Sequence, residues 1–407
     1  MSLPQALKLY EPYAPSEPTD GPVEYPDELR PGDRALNLNR LRLWVVVMLL
    51  ALAAGTAFAQ AQANGDAALS ARVDLAVEAQ QKAQEIPGVS FAVCRDGKIM
   101  KAARNGLANV ELNVAMTPET VLQTGSLGKQ FTSMAVMMLF EEGKMGLDDK
   151  IAKYIPESPS AWNDVTVREL LTHTSGIPDY GSAEAMNKGV IDLRKDYTES
   201  QLIEAFAKMP MGFAPGEKWS YSNTGYVLLG IIIHRVTGEF YGDFLQARIF
   251  RPLGMASTQI ISEADIVPHR SSGYRLVKGQ LKNQEWVSPS LNTTADGALY
   301  TNVLDLAKWD AALYTTRLIR QSSFDLDLMW SPVKPNDGKT YPYGFGWGLA
   351  SRCGHKAVIH DGAWQGFTMS IARYLDDRLT VIVMTNLDSD NSKPEKIAKD
   401  AAEIYLK

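Results

Sequence analysis

The sequence predicts an α+β protein in which strands from the N- and C-terminal parts of the chain form one mostly antiparallel sheet, flanked by helices, with an inserted mostly helical lobe. Three observations carry this. Strand-like apolar runs bounded by turn residues occur just after Gly88 and again after Tyr343. Between them, apolar positions recur at spacings of three and four. The 407 residues are 45% apolar and 22% charged, enough to bury a large core.

Taken in order, residues 1–42 are proline-rich and acidic, with little to bury, and read as a disordered extension. Arg40 and Arg42 then precede an uncharged apolar run closed by Ala57-Phe58-Ala59, the small-x-small form of a signal-peptidase site. Residues 43–59 therefore read as a signal peptide. Their alternative is a membrane anchor, because the charge-free stretch 43–63 is near the length that spans a bilayer. Either way, a body spanning 66–407 is expected outside the cytoplasm, periplasmic or secreted. A signal segment behind a long acidic tail is unusual, so translation is expected to start between Leu36 and Met48.

The body opens with "GVSFAVCRDGKIMKAARNGLANVE", two strands joined at Asp96-Gly97, where a tight hairpin needs positive φ. From Leu127 the spacing turns helical and continues through "DVTVRELLTHTSGIP" and "SNTGYVLLGIIIHRVTGEFYGDFLQARIF". Strands return in "YGFGWGLAS", "KAVIHDGAW", "FTMSIARYL" and "RLTVIVMTNL", and a last helix runs from about Pro394 to Leu406. A cleft is expected between the sheet and the helical lobe. Net charge is −6, and no basic run is interleaved with aromatics, which excludes nucleic acid as a partner. Cys94 and Cys353 read as strand residues and as unpaired small hydrophobes. The histidines are not spaced as metal ligands, and no metal or other cofactor is expected.

The chemistry starts at "TGSLGKQF". Ser126 and Lys129 are three apart, so a helix starting near Ser126 puts them one turn apart on one face. A serine hydroxyl is a weak nucleophile until a base takes its proton, and a lysine is a base only if burial lowers its pKa. Spacing alone leaves Ser126 either a nucleophile or an N-cap. The same spacing recurs at Ser331-Pro332-Val333-Lys334, in a proline-broken stretch where it reads as chance.

Two later motifs decide the matter: Tyr221-Ser222-Asn223 before an apolar helix, and His360-Asp361-Gly362 in a strand. Each has a decoy. Tyr300-Thr301-Asn302 reads as a helix start capped by Asn302, and Lys144-Met145-Gly146 as a helix end with a terminal glycine. Ser-x-x-Lys, Tyr-x-Asn and Lys/His-x-Gly in that order resemble the active-site-serine penicillin-recognising enzymes. The sequence is most similar to the class C β-lactamase-like branch, with its D-Ala-D-Ala carboxypeptidases, D-aminopeptidases and esterases. "LLTHTSGIP", "F-x-PGE", "PLGM" and "GFGWG" extend the likeness over roughly residues 75–407.

The resemblance implies a DD-peptidase/β-lactamase-like fold and a role for each matched residue. Ser126 would attack the acyl carbon, with Lys129 and Tyr221 as base and acid. Tyr221 could serve as a base only if nearby cations lowered its pKa from about 10. The oxyanion donors would be the backbone N–H groups of Ser126 and Ala363. Asn223 would hold the substrate amide or the Lys129 amine. His360 stands where class C β-lactamases have a lysine, and would polarise Tyr221 or bind substrate. Gly362 would leave room for the substrate backbone.

Asp361 replaces the usual Thr or Ser. If it borders the pocket, it repels a substrate carboxylate; strand alternation sends it instead to the face opposite His360. The expected activity is that of a monomeric serine hydrolase acting on small ester or peptide-like substrates. The alternatives are a D-Ala-D-Ala carboxypeptidase or β-lactamase, and a catalytically silent binder of cell-wall peptide.

Overall fold

The structure, a computed structural model, describes residues 40–48, 67–320 and 328–406. The chain divides into two units, Met1–Gly65 and Asp66–Lys407. In the first, 40–48 is a helix with exposed apolar side chains. The rest of the expected extension and signal segment lies outside the described residues. Among the described residues, no helix is long and apolar enough to cross a membrane.

The second unit begins with helix α1 (67–83), followed by strands β1 (Gly88–Arg95), β2 (Lys98–Asn109) and β3 (Val114–Ala115). The chain's end supplies β4 (Gly348–Arg352), β5 (His355–Trp364), β6 (Phe367–Tyr374) and β7 (Leu379–Thr385). These form one seven-stranded antiparallel sheet in the order β3-β2-β1-β7-β6-β5-β4. The expected closure of the two chain ends is the β1–β7 ladder, running from Val89 opposite Thr385 to Arg95 opposite Leu379. The β1–β2 turn has Asp96 at φ 53° and Gly97 at φ 69°, as a tight hairpin requires.

Alternation along β1 explains why both faces are covered. Val89, Phe91 and Val93 meet Val73 and Val77 of α1 and Ile397, Ala398 and Ala401 of the last helix (Pro394–Tyr405), while Ala92 and Cys94 join the larger core on the other face. That second face carries α2 (Lys129–Glu141), α3 (Asn223–Thr237) and α4 (Val303–Ala312), with α5 (Pro394–Tyr405) closing the first. Helix α3 is buried through most of its length and stops at Gly238, φ 74°.

The mostly helical middle of the chain also carries short strands, and two smaller expectations need correction. Leu122–Gln123, Leu299–Thr301 and Gln259–Ile260 make one small sheet, and Tyr274–Val277, Gln280–Asn283 and Leu387–Asp388 another. Strands of two to four residues are too short for alternation to register. Helix α2 ends at Gly143 (φ 68°), not Gly146, because the N–H groups of Gly143 and Lys144 already satisfy the carbonyls of Phe140 and Leu139. Asn302 does cap α4, accepting from the Asp305 N–H at 2.8 Å. Both cysteines are free, but Cys353 is half-buried in the β4–β5 turn at φ 54° rather than in a strand.

Candidate active site

Ser126 sits in a 3₁₀ turn, Gly125–Gly128, and the α-helix proper starts at Lys129. The expected helix start is therefore displaced by one turn, and Ser126 caps neither segment. Backbones crowd around it. A Cβ on Gly125, which has φ 51°, would lie 2.6 Å from the Ala363 nitrogen, and one on Gly297 would lie 3.0 Å from the Ser126 nitrogen. Only residues without side chains allow that approach. Neither glycine was singled out in the sequence; the signal was their position beside Ser126 and Asp296.

Lys129 is fully buried. Its Nζ lies 3.0 Å from Ser126 Oγ, 2.7 Å from Asn223 Oδ1 and 2.6 Å from the Asp296 carbonyl oxygen. The last two groups are acceptors only, so they take two N–H bonds and leave the nitrogen's remaining position facing the serine hydroxyl. For a neutral amine that position is the lone pair. Burial pushes the Lys129 pKa down to about 8, against the opposing charges of Asp296 and Asp179. Asn223 thus meets the lysine, while its backbone N–H donates to Asp179 at 2.9 Å.

Tyr221 lies beneath Lys129 with its ring centre 5.0 Å from Nζ, packs at a tilt against the His173 ring with centres 4.3 Å apart, and is close enough to Ser126 for the serine hydroxyl to pull its pKa back in part. Its pKa is not lowered. Burial raises it, and Asp296 and Asp179 add to the rise, so Tyr221 stays a neutral phenol. His173, which the sequence analysis did not single out, packs against this ring with its backbone at φ 60° and accepts the Ser222 N–H through Nδ1. Its signal lay in the "LLTHTSGIP" block.

His360 is buried, and both its ring nitrogens are engaged. Nδ1 lies 2.6 Å from the Asp361 carbonyl and must donate to it, so Nε2 accepts from the Tyr343 hydroxyl at 3.0 Å. Burial, then the Lys129 charge, pushes its pKa down to about 4. His360 therefore engages Tyr343 rather than Tyr221, and carries no charge at neutral pH.

Strand β4 covers β5 only as far as Ile359, leaving the edge from His360 to Trp364 open to the nucleophile turn. A Cβ on Gly362 would stand 2.1 Å from the Thr124 carbonyl oxygen. The room that Gly362 makes is for this turn, not for substrate as expected. Asp361 lies opposite Ser370 and influences Glu395 of α5, so it is on the far face from His360, as alternation requires. Asp361 nevertheless lines the cavity that contains Ser126, Tyr221 and His360, as does Glu395, so a substrate carboxylate placed over that strand edge still meets negative charge. Two cavities meet at Ser126 and Ala363. One, of ≈ 510 Å³, runs past Tyr221 and His360 over the strand edge, and the other, of ≈ 270 Å³, runs past Asn223, Asp296 and Trp364. Among the described residues, no cluster of three or more His, Cys, Asp or Glu side chains could hold a metal.

The family model described as Beta-lactamase matches residues 73–406. Penicillin-binding protein 4* of Bacillus subtilis is 31% identical over 324 residues, 76% of this chain and 70% of that protein. A D-aminopeptidase of Gluconobacter oxydans is 28% identical over 325 residues, 78% of this chain but 59% of that protein, so the chain spans less than two thirds of the relative's length. The octameric penicillin-binding protein homologue from Pyrococcus abyssi superposes with a TM-score of 0.71 at 32% identity, over 83% of this chain and 77% of that one.

Proposed function

The chain belongs to the beta-lactamase family and is a serine hydrolase of that fold, and from this premise we propose that it hydrolyses esters or peptide-like amides through an acyl-enzyme on Ser126. The observation that carries this is the Lys129 amine, buried, aimed at Ser126 Oγ at 3.0 Å and depressed to about 8. Ser126 Oγ bonds to the acyl carbon as its proton passes to Lys129 Nζ. The carbonyl oxygen becomes an oxyanion facing the N–H groups of Ser126 and Ala363. Collapse breaks the bond to the leaving group, which takes a proton from the Tyr221 hydroxyl while Lys129 returns one to Tyr221. Water then repeats the sequence on the acyl-enzyme, with the proton going to Lys129 and back to Ser126.

The neutral His360 supports substrates without a carboxylate beside the reacting bond, since it offers no cation where class C β-lactamases offer a lysine. Turnover of a short-chain ester or an amino amide should exceed that of D-Ala-D-Ala peptides and β-lactams. A panel of these four classes, with mass spectrometry after fluorophosphonate treatment, tests the proposal. The expected result is a covalent adduct on Ser126 and a loss of at least about a thousandfold in kcat/KM for Ser126→Ala. Rapid cephalosporin hydrolysis with little ester turnover would overturn the substrate class, and no adduct with any acyl donor would favour the silent binder.

We further propose export to the periplasm or beyond, with cleavage after Ala59, which N-terminal sequencing of the mature protein would show. The protein is proposed to be a monomer. Light scattering would reveal instead an assembly like that of the Pyrococcus homologue.

A further inference from the structure

The cavity of ≈ 270 Å³ beside Ser126 holds a charge that the acyl-transfer steps do not use. Asp296 is held in place from two sides. Its carbonyl oxygen receives the Lys129 amine, and the preceding Ala295 packs so closely on α3 that a Cβ at Gly230 would stand 2.4 Å from the Ala295 Cβ. The side chain, 9% exposed, takes one hydrogen bond on Oδ2 from the Tyr180 hydroxyl at 2.8 Å, and Oδ1 receives none from any described residue.

Among the described residues, no lysine, arginine or histidine lines this cavity; its remaining wall includes Met186, Leu193, Leu291 and Trp364. Lys129 is the neighbouring cation, but its role as a base requires it to be neutral when Ser126 attacks. Asp179, behind Asn223, adds negative potential rather than relieving it. Once Lys129 gives up its proton, Asp296 is a nearly buried carboxylate with an open acceptor and no cation beside it, which is costly unless a partner arrives with the ligand.

We propose that Asp296 anchors an ammonium group on the acyl side of the substrate. The preferred substrates are then esters or amides of amino acids with a free amine near the reacting carbonyl and an apolar side chain against Leu193, Leu291 and Trp364. This rests on the serine-hydrolase reading and narrows it. An ammonium paired with Asp296 also cancels part of the field that holds a proton on Lys129, so binding helps to free the base.

The test compares phenylalanine p-nitroanilide with 3-phenylpropionyl p-nitroanilide, which lacks only the amine. The native chain should favour the amine by at least about thirtyfold in kcat/KM, the low end of what a desolvated charge pair contributes. Asp296→Asn should bring the ratio close to one. A native ratio near or below one overturns the proposal, as does a ratio that Asp296→Asn leaves unchanged. Phenethylammonium should also inhibit the native chain more strongly than phenethyl alcohol, a comparison that needs no variant; equal inhibition counts against the anchor. Turnover of the des-amino compound with a ratio near one defeats the anchor alone. Absence of turnover of both compounds, together with no fluorophosphonate adduct on Ser126, defeats the hydrolase reading as well.

Discussion

The two faces of the seven-stranded sheet use burial for different ends. Against α1 and α5, the packed side chains are aliphatic and aromatic, among them Val73, Val77, Phe91, Val383, Ile397 and Tyr405. Removing such surface from water stabilises the fold at roughly 25 cal/mol per Å². The opposite face buries Lys129, His173, His360 and the Arg373–Asp310 pair among its apolar residues. Within that face, two cations meet different fates. Arg373 has a carboxylate 2.7 Å away; Lys129 bonds two neutral acceptors and a hydroxyl, the Asp296 and Asp179 charges offset its burial only in part, and its proton is loosened. Burial against a bonded counter-charge makes structure, and burial that nearby carboxylates offset only in part makes a base.

The sharpest way to break this contrast is through Lys129. Its folded pKa lies below its ordinary value, so the amine is protonated below about 8 and free above it. kcat/KM for a neutral ester should therefore climb about tenfold per pH unit on approaching 8 and level off beyond. Lys129→Arg, permanently charged, should lose about a thousandfold or more and show no such limb. A flat profile for the native chain would refute the lysine base.

Next in size is Gly362→Ala. The added methyl meets the Thr124 carbonyl and forces β5 away from the nucleophile turn, displacing the Ala363 N–H. Turnover should fall about a hundredfold, and stability by about 1–3 kcal/mol in denaturant titrations. On the apolar face, Ile397→Ala should cost about 2–5 kcal/mol of stability and leave kcat unchanged, because that side touches no reacting group. If Ile397→Ala altered the pH limb, the division of labour between faces would be wrong. The smallest effect is expected for His360→Gln. His360 is already neutral above about 5, so activity should change only a few-fold and the rise toward pH 8 should stay in place. A limb moved by a full unit would mean that His360 carries charge.

Much of the scaffold was legible in the amino-acid order. The hairpin at Asp96-Gly97, the continuous apolar runs of β1 and β7 and the spacing of α3 all follow from backbone preference and period. Strands of two residues, such as Leu122–Gln123, were not legible, since pairing with a distant segment creates them. In the site, Ser126, Lys129 and Tyr221 stood out because their order matched a known pattern. Their neighbours Asp296, Asp179 and His173 did not, because contact across the fold leaves no periodic trace in the chain. The direction of Asp361 needed the register of β5 against β6.

By itself the sequence determined which elements form and which residue types are available for acyl transfer, because propensity and period act within a few neighbouring residues. Tertiary structure decided the ionisation of three of them, with Lys129 depressed and Tyr221 and His360 neutral, and it placed Asp296 at a cavity lined by no cation among the described residues. The reason is that a pKa depends on the water excluded and the charges assembled around a group. Both are set by segments far apart in the chain that meet only when the sheet closes and the helical lobe packs against it.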